Sequence, residues 1–338
     1  DYSEIGNINP HIRSLIAYNT DNLIVPTVKT NGILYTQATP REGLISGSSS
    51  IMALEGWNWE DAVLKADDGI TDLYGVMYKP FDFDSTKKYP LIEYVYPGPQ
   101  TEAVNKSFSK GMDRVDRLAQ LGFIVVTVGN RGGHPARSKW YHNYGYGNLR
   151  DYGLADKKAA AEQLGDRYNF IDINKVGIHG HSGGGFMSTA AMLLYPDFFK
   201  VAVSNAGNHD NSIYHRWWSE KHHGVKEIIS DKQDTSFTYN IDKNPDVAKN
   251  LKGRLLLIHG EIDNNVHPAN TIRVVNALIN ANKRFDMLIL PTQRHGFGNM
   301  TEHWFWRTAD YFCRWLLGDT TERTTDLEEM NREVEKKK

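Results

Sequence analysis

Seven short apolar runs punctuate the chain: LYGVMYK (73–79), LIEYVY (91–96), GFIVVTV (122–128), KVGIH (175–179), KVAVS (200–204), RLLLIH (254–259) and FDMLIL (285–290). Continuous apolar runs of this length predict strands buried on both faces. Between the later runs lie segments with helical spacing, near 151–165, 184–195, 268–283 and 300–317. Strands joined by helices predict an α/β architecture, a mainly parallel sheet covered by helices on both faces. Such sheets bind ligands beyond the carboxyl ends of their strands, so the residues just after each run are the ones to inspect.

The ends of the chain have a different texture. NLIVPTVKTNGILYTQATP (22–40) carries two short apolar runs around Asn31-Gly32, a hairpin signal, and is followed by the flexible SGSSS. The expected organisation is a β-rich segment over 1–55, an α/β unit over 56–318 and a charged, solvated tail over 319–338.

After the fourth run comes GHSGGGF. Gly180-His181-Ser182-Gly183-Gly184 has the form G-x-S-x-G, with a strand before it and the small-residue helix GFMSTAAMLLYP after it. In that context the serine sits at a sharp strand-to-helix turn with its hydroxyl exposed, and bulky neighbours would collide. A phosphate loop would require Lys-Ser or Lys-Thr after the glycines, and none follows.

A serine hydroxyl is a poor nucleophile unaided and needs a base with an acid to orient it. The sixth run is followed by GEIDNNVHP and the seventh by PTQRHGFGN, which nominate Asp263 and His295. The order Ser182, Asp263, His295 is that of α/β-hydrolases. The rivals are weaker. Glu261 competes with Asp263, Asn264 lacks the charge to orient an imidazolium, and His303 falls inside the helical TEHWFWRTAD. The adjacent pair His222-His223 lacks ligand geometry on one helix face, and neither H-E-x-x-H nor C-x-x-C occurs, so no metal and no cofactor are expected. An oxyanion would find the backbone N–H of Gly183, the residue after the nucleophile. Tyr96 ends a strand at the tight turn Pro97-Gly98-Pro99, and its phenol is either a second donor or a cap on that strand.

Composition narrows the partners. The 39 Lys and Arg against 41 Asp and Glu leave a net charge of -2, so no basic field argues for nucleic acid or an anionic membrane surface. The single cysteine, Cys313, lies in the aromatic run YFCRWLL and reads as a buried structural thiol. No 18-residue apolar stretch and no export signal occur, and the chain opens on Asp1 as a processed product or excised fragment does. A soluble protein is expected, periplasmic or secreted if its parent carries a signal peptide and cytoplasmic otherwise. A homo-oligomer is compatible with the sequence.

Taken together, ADDGITDLYGVMYKP, YPGPQ, GNRGG, GHSGGGF, GEIDNNVHP and RHGFG resemble the catalytic domain of the prolyl oligopeptidase family of serine peptidases, especially its dipeptidyl peptidase IV branch, from about Trp57 to Leu317. The resemblance implies an α/β-hydrolase fold, Ser182, Asp263 and His295 as the triad, and the Tyr96 hydroxyl with the Gly183 N–H as the oxyanion hole. It implies substrate contacts from Asn265 and Val266. It also implies an upstream β-propeller, of which residues 1–55 would be the last remnant, and short peptides as substrates. Gly183 stands where relatives often have an aromatic, and SNAGNHDNSIYHRWW departs from the family's pocket wall, which Tyr214, Trp217 or Trp218 would supply. A carboxylesterase on the same scaffold is the alternative enzyme, and a catalytically silent binding module is the reading from another class.

Overall fold

A computed structural model describes residues 35–38, 50–53, 64–104, 114–224, 226–231, 234–238 and 241–321. The chain divides into two compact units, Asp1–Asp61 and Ala62–Lys338. In the first, β1 (Tyr35–Ala38) pairs antiparallel with β2 (Ser50–Ala53). Ser50, expected in a flexible stretch, is thus a strand residue, while the Asn31-Gly32 turn and the tail from 322 lie outside the described residues.

The second unit opens with the short pair β3 (Leu64–Lys65) and β4 (Asp72–Leu73). There follow β5 (Gly75–Tyr78), β6 (Tyr89–Val95), helix α1 (Arg114–Ala119) and β7 (Ile124–Val128). Next come α2 (Lys139–Asn143), α3 (Leu154–Arg167), β8 (Ile171–His181), α4 (Gly183–Leu194) and β9 (Phe199–Asn205). Helix α5 (Arg216–His223) precedes the antiparallel hairpin β10 (Lys226–Ile229) and β11 (Thr235–Thr238). The chain then forms β12 (Arg254–Gly260), α6 (Ala269–Asn280), β13 (Asp286–Leu290) and α7 (Thr301–Phe312), which runs into a π turn over Cys313–Leu317.

The seven-stranded sheet has the order β13-β12-β9-β8-β6-β7-β5. All its pairings are parallel except β5 with β7. The seven apolar runs supply its seven strands, with two adjustments. LYGVMYK divides, Leu73 joining the β3–β4 pair and Gly75–Tyr78 joining the sheet. The fourth run extends back to Ile171 and shifts register against β9 between Val176 and Gly177. Helices α1, α2 and α5 were not anticipated.

Side chains alternate across the sheet, as the two-residue period of a strand requires. Leu255 and Leu257 of β12 face one core with α3, α4 and α6, whereas Leu256 and Ile258 face the other with α1 and α7. Each fully buried side chain such as Leu257 or Phe312 contributes about 1.5–3 kcal/mol. Cys313 is buried in the second core, as its aromatic neighbourhood predicts. Among the described residues no helix is long and apolar enough to cross a membrane.

The strand order also determines where a crevice opens. After β6 the chain adds β7 on one side; β8 then returns to the other side of β6, and growth continues outward through β9, β12 and β13. The helix after β6 packs on one face and α4 after β8 on the opposite one. Loops leaving the carboxyl ends of β6 and β8 therefore part company, and the gap between them is the switch point where ligands bind. Tyr96 and Ser182 stand at these two strand ends.

Candidate active site

Ser182 is the single residue between β8 and α4, with φ 59° and ψ −118°. For a residue with a side chain this region costs about 1–3 kcal/mol, and it persists only where the surroundings over-determine it. Here the Ser182 N–H donates to the Asn205 carbonyl at 2.8 Å and its own carbonyl accepts from Phe186 N at 3.0 Å. Asn205, the last residue of β9, also donates from Nδ2 to the Gly180 carbonyl at 3.0 Å and accepts from Trp304 Nε1 of α7 at 2.7 Å. It ties both sides of the turn together. A Cβ on Gly180 or Gly184 would run into the Val95 carbonyl oxygen, so both glycines are steric necessities. Gly183 is different: a Cβ there would lie 3.8 Å from Tyr96 Cζ and from the Gly98 oxygen, in ordinary contact. Its N–H belongs to the first turn of α4, where no intrahelical acceptor exists.

Asp263 and His295 arrive on the loops after β12 and β13. His295 Nδ1 donates to Asp263 Oδ2 at 2.6 Å, which leaves the Nε2 lone pair as the basic site of the ring. The His295 ring packs edge-on against His181, the neighbour of Ser182, with centroids 4.6 Å apart. Asp263 Oδ1 accepts from the backbone N–H groups of Asn265 (2.9 Å) and Val266 (3.0 Å). Its Oδ2 also lies 3.3 Å from Nε2 of the buried His259. Burial raises the pKa of this carboxyl, but the hydrogen bonds from His259, His295 and the Asn265 backbone outweigh burial and hold it well below the usual carboxylate range.

The Tyr96 phenol reaches the same point from β6. It accepts from Gln100 Nε2 at 3.1 Å. Burial pushes its pKa up, and the nearby Ser182 side chain opposes this only in part.

Of the expected substrate contacts, the Tyr214 hydroxyl donates to Asn265 Oδ1 at 3.3 Å, and the Tyr214 ring packs edge-on against Trp218 at 5.2 Å. On α5 Trp217 is 82% exposed, whereas Trp218 is half-buried. Val266 is fully buried. Among the rivals, Glu261 accepts from Thr292 N at 2.9 Å, Asn264 is exposed and His303 lies within α7. His222 and His223 are both pushed down to about 4 by burial, aided by Lys221 and His142 for the first and by His222 for the second. No group of three His, Cys, Asp or Glu able to hold a metal occurs among the described residues.

Asn205 and His259 escaped the sequence reading. Each is a polar residue at the end of an apolar strand, and that position was the available signal.

The family model described as the prolyl oligopeptidase family matches residues 109–319. Human dipeptidyl peptidase 8 is 34% identical over 225 residues, which is 66% of this chain and 24% of that protein. Venom dipeptidyl peptidase 4 of the honeybee Apis mellifera is 31% identical over 249 residues, 72% of this chain and 31% of that protein. The crystal structure of Porphyromonas gingivalis dipeptidyl peptidase 4 superposes with a TM-score of 0.68 at 29% identity, covering 76% of this chain and 35% of that one. The chain thus spans about a quarter to a third of the length of the relatives it matches.

Proposed function

The chain belongs to the prolyl oligopeptidase family, and from that premise we propose that it is a serine peptidase that cleaves short peptides through an acyl-enzyme, as a dipeptidyl peptidase or oligopeptidase. Ser182 Oγ attacks the scissile carbonyl while His295 Nε2 takes its proton. Asp263 holds the imidazole in the required tautomer and stabilises the cation that forms. The oxyanion receives hydrogen bonds from the Tyr96 hydroxyl and the Gly183 N–H. His295 then protonates the leaving amine, and water attacks the acyl-enzyme by the same steps in reverse. Asn265, with Tyr214 and Trp218 beside it, lies against the acyl portion of the substrate. The β-rich residues that precede the catalytic unit are read as the end of a propeller domain, which family members carry upstream.

The observation that carries this reading is the 2.6 Å bond between His295 Nδ1 and Asp263 Oδ2 at the same sheet edge as a serine held at φ 59°. Labelling with a fluorophosphonate probe followed by mass spectrometry tests it: the adduct is expected on Ser182. Ser182→Ala is expected to cost about a millionfold in turnover of peptide anilides. An adduct on another serine overturns the assignment of the nucleophile. Turnover of p-nitrophenyl esters without turnover of anilides makes the protein a carboxylesterase.

A further inference from the structure

His259 is the penultimate residue of β12 and is fully buried. Its Nε2 lies 2.8 Å from the Val266 carbonyl oxygen and 3.3 Å from Asp263 Oδ2, and its Nδ1 lies 2.7 Å from Thr271 Oγ1 on α6. A carbonyl oxygen can only accept, so the ring proton is on Nε2 and the Thr271 hydroxyl donates to Nδ1. The single N–H at Nε2 therefore faces two oxygens of one loop. One is the Val266 carbonyl, and the other is the same carboxylate oxygen that takes the His295 proton at 2.6 Å.

We propose that His259 is a positioning residue for the Asp263–His295 pair: it pins Asp263 Oδ2 within reach of His295. The physical reason is that a buried imidazole held at both nitrogens, 3.3 Å from one carboxylate oxygen, restricts where that oxygen can sit. Thr271 in turn fixes the imidazole to α6, so the orientation of the carboxylate is set by a helix as well as by its own loop. The hydrogen bond from His259 is among the interactions that hold the Asp263 carboxyl ionised. The titratable groups facing the His259 ring are Asp263 on the loop after β12 and His209 on the loop after β9. Burial and the nearby His259 push His209 down to about 3, so that ring is neutral and brings no competing charge. The inference rests on the reading of Ser182, His295 and Asp263 given above.

Two substitutions separate this role from simple packing. The amide nitrogen of Gln reaches the position of Nε2, whereas that of Asn reaches only the position of Nδ1. His259→Asn and His259→Gln are compared by kcat, KM and the pH dependence of kcat/KM on a peptide anilide, per active site titrated with the fluorophosphonate. His259→Asn is expected to lose about ten- to a hundredfold in kcat, with KM changed by less than about twofold, because the carboxylate is released from its productive position. Its acid limb is expected to move to lower pH, because a carboxylate released from that position stabilises the His295 imidazolium less. His259→Gln is expected to recover most of the lost kcat. Equal turnover of the two variants per titrated site overturns the proposal, as does an unmoved acid limb with a loss confined to the fraction of protein that titrates. A wild-type chain that fails to take up the probe refutes the triad reading itself.

Discussion

Asp263 and Glu93 are both buried carboxylates, 3% and 2% exposed, and their surroundings drive them in opposite directions. Asp263 receives two backbone N–H groups and faces two imidazoles, and its pKa falls well below the ordinary range although burial opposes this. Glu93, in the middle of β6, has no hydrogen-bond partner on either oxygen among the described residues. Burial raises its pKa to about 8, only partly opposed by the nearby Lys157. Lys157 of α3 is itself pushed down by burial and spends its ammonium on the Val128 carbonyl. The difference lies in where donors are available. Inside the sheet the backbone N–H groups are consumed by the ladder, whereas the turn after β12 leaves those of Asn265 and Val266 free to converge on a carboxylate. Burial alone penalises charge; converging donors reverse the sign.

The sharpest way to break this comparison is to replace each carboxylate by its amide. Asp263→Asn removes the charge that orients His295 and stabilises its cation, and turnover of a peptide anilide is expected to fall roughly ten-thousandfold. A variant retaining a tenth of wild-type kcat would remove Asp263 from the machinery. Tyr96→Phe probes a donor on the same edge. It is expected to lower kcat about a hundredfold to a thousandfold with little change in KM or thermal stability, since the ring's packing is kept. A raised KM alone would make Tyr96 a substrate-binding residue.

Glu93→Gln is expected to leave activity within about twofold of wild type and to change the pH dependence of folding instead. The folded-state pKa of Glu93 is raised from 4.5 to about 8, so the folded chain binds more protons than the unfolded chain between these values. Its contribution is complete below pH 4.5 and is lost as pH rises towards about 8, with a slope of at most about 1.4 kcal/mol per pH unit. Asp263 acts oppositely, since its depressed pKa adds stability above the ordinary carboxylate value of 3.8 that is lost as pH falls below it. Urea unfolding at pH 5 and pH 8 should show the Gln variant with a flatter profile than wild type; identical slopes would mean that Glu93 is ionised in the fold. The smallest effect is expected at Trp217, whose exposed ring makes Trp217→Ala neutral within about twofold in kcat/KM. A larger loss would return it to the substrate wall beside Trp218.

Much of the architecture was legible beforehand. Seven apolar runs became the seven strands of the sheet, most legibly in the central strands β6, β7, β9 and β12, where burial on both faces leaves little freedom in composition. The four anticipated helices formed because their apolar spacing survives packing, as with Val274 and Leu278 of α6 or Phe305 and Ala309 of α7. Helices α2 and α5 were missed because, at five and eight residues, they are too short to show a helical period. The motif around Ser182 was readable because glycine sterics are local, although the specific obstacle to a side chain at Gly180 and Gly184 is Val95, far away in the chain.

The residue types that follow each strand also belong to the sequence alone: a serine, a carboxylate and a histidine at the carboxyl edge, in an order that suits acyl transfer. These depend on covalent neighbours and on which runs are apolar, and short-range physics suffices to read them. Tertiary structure decided the rest. It set which aromatic of α5 faces inward, which carboxylate finds four donors and which finds none, and how Asp263 is shared between His295 and a histidine that looked like the end of a strand. Those outcomes turn on distances of a few tenths of an ångström between groups tens of residues apart, where hydrogen bonds and charges change strength steeply. No local pattern carries that information.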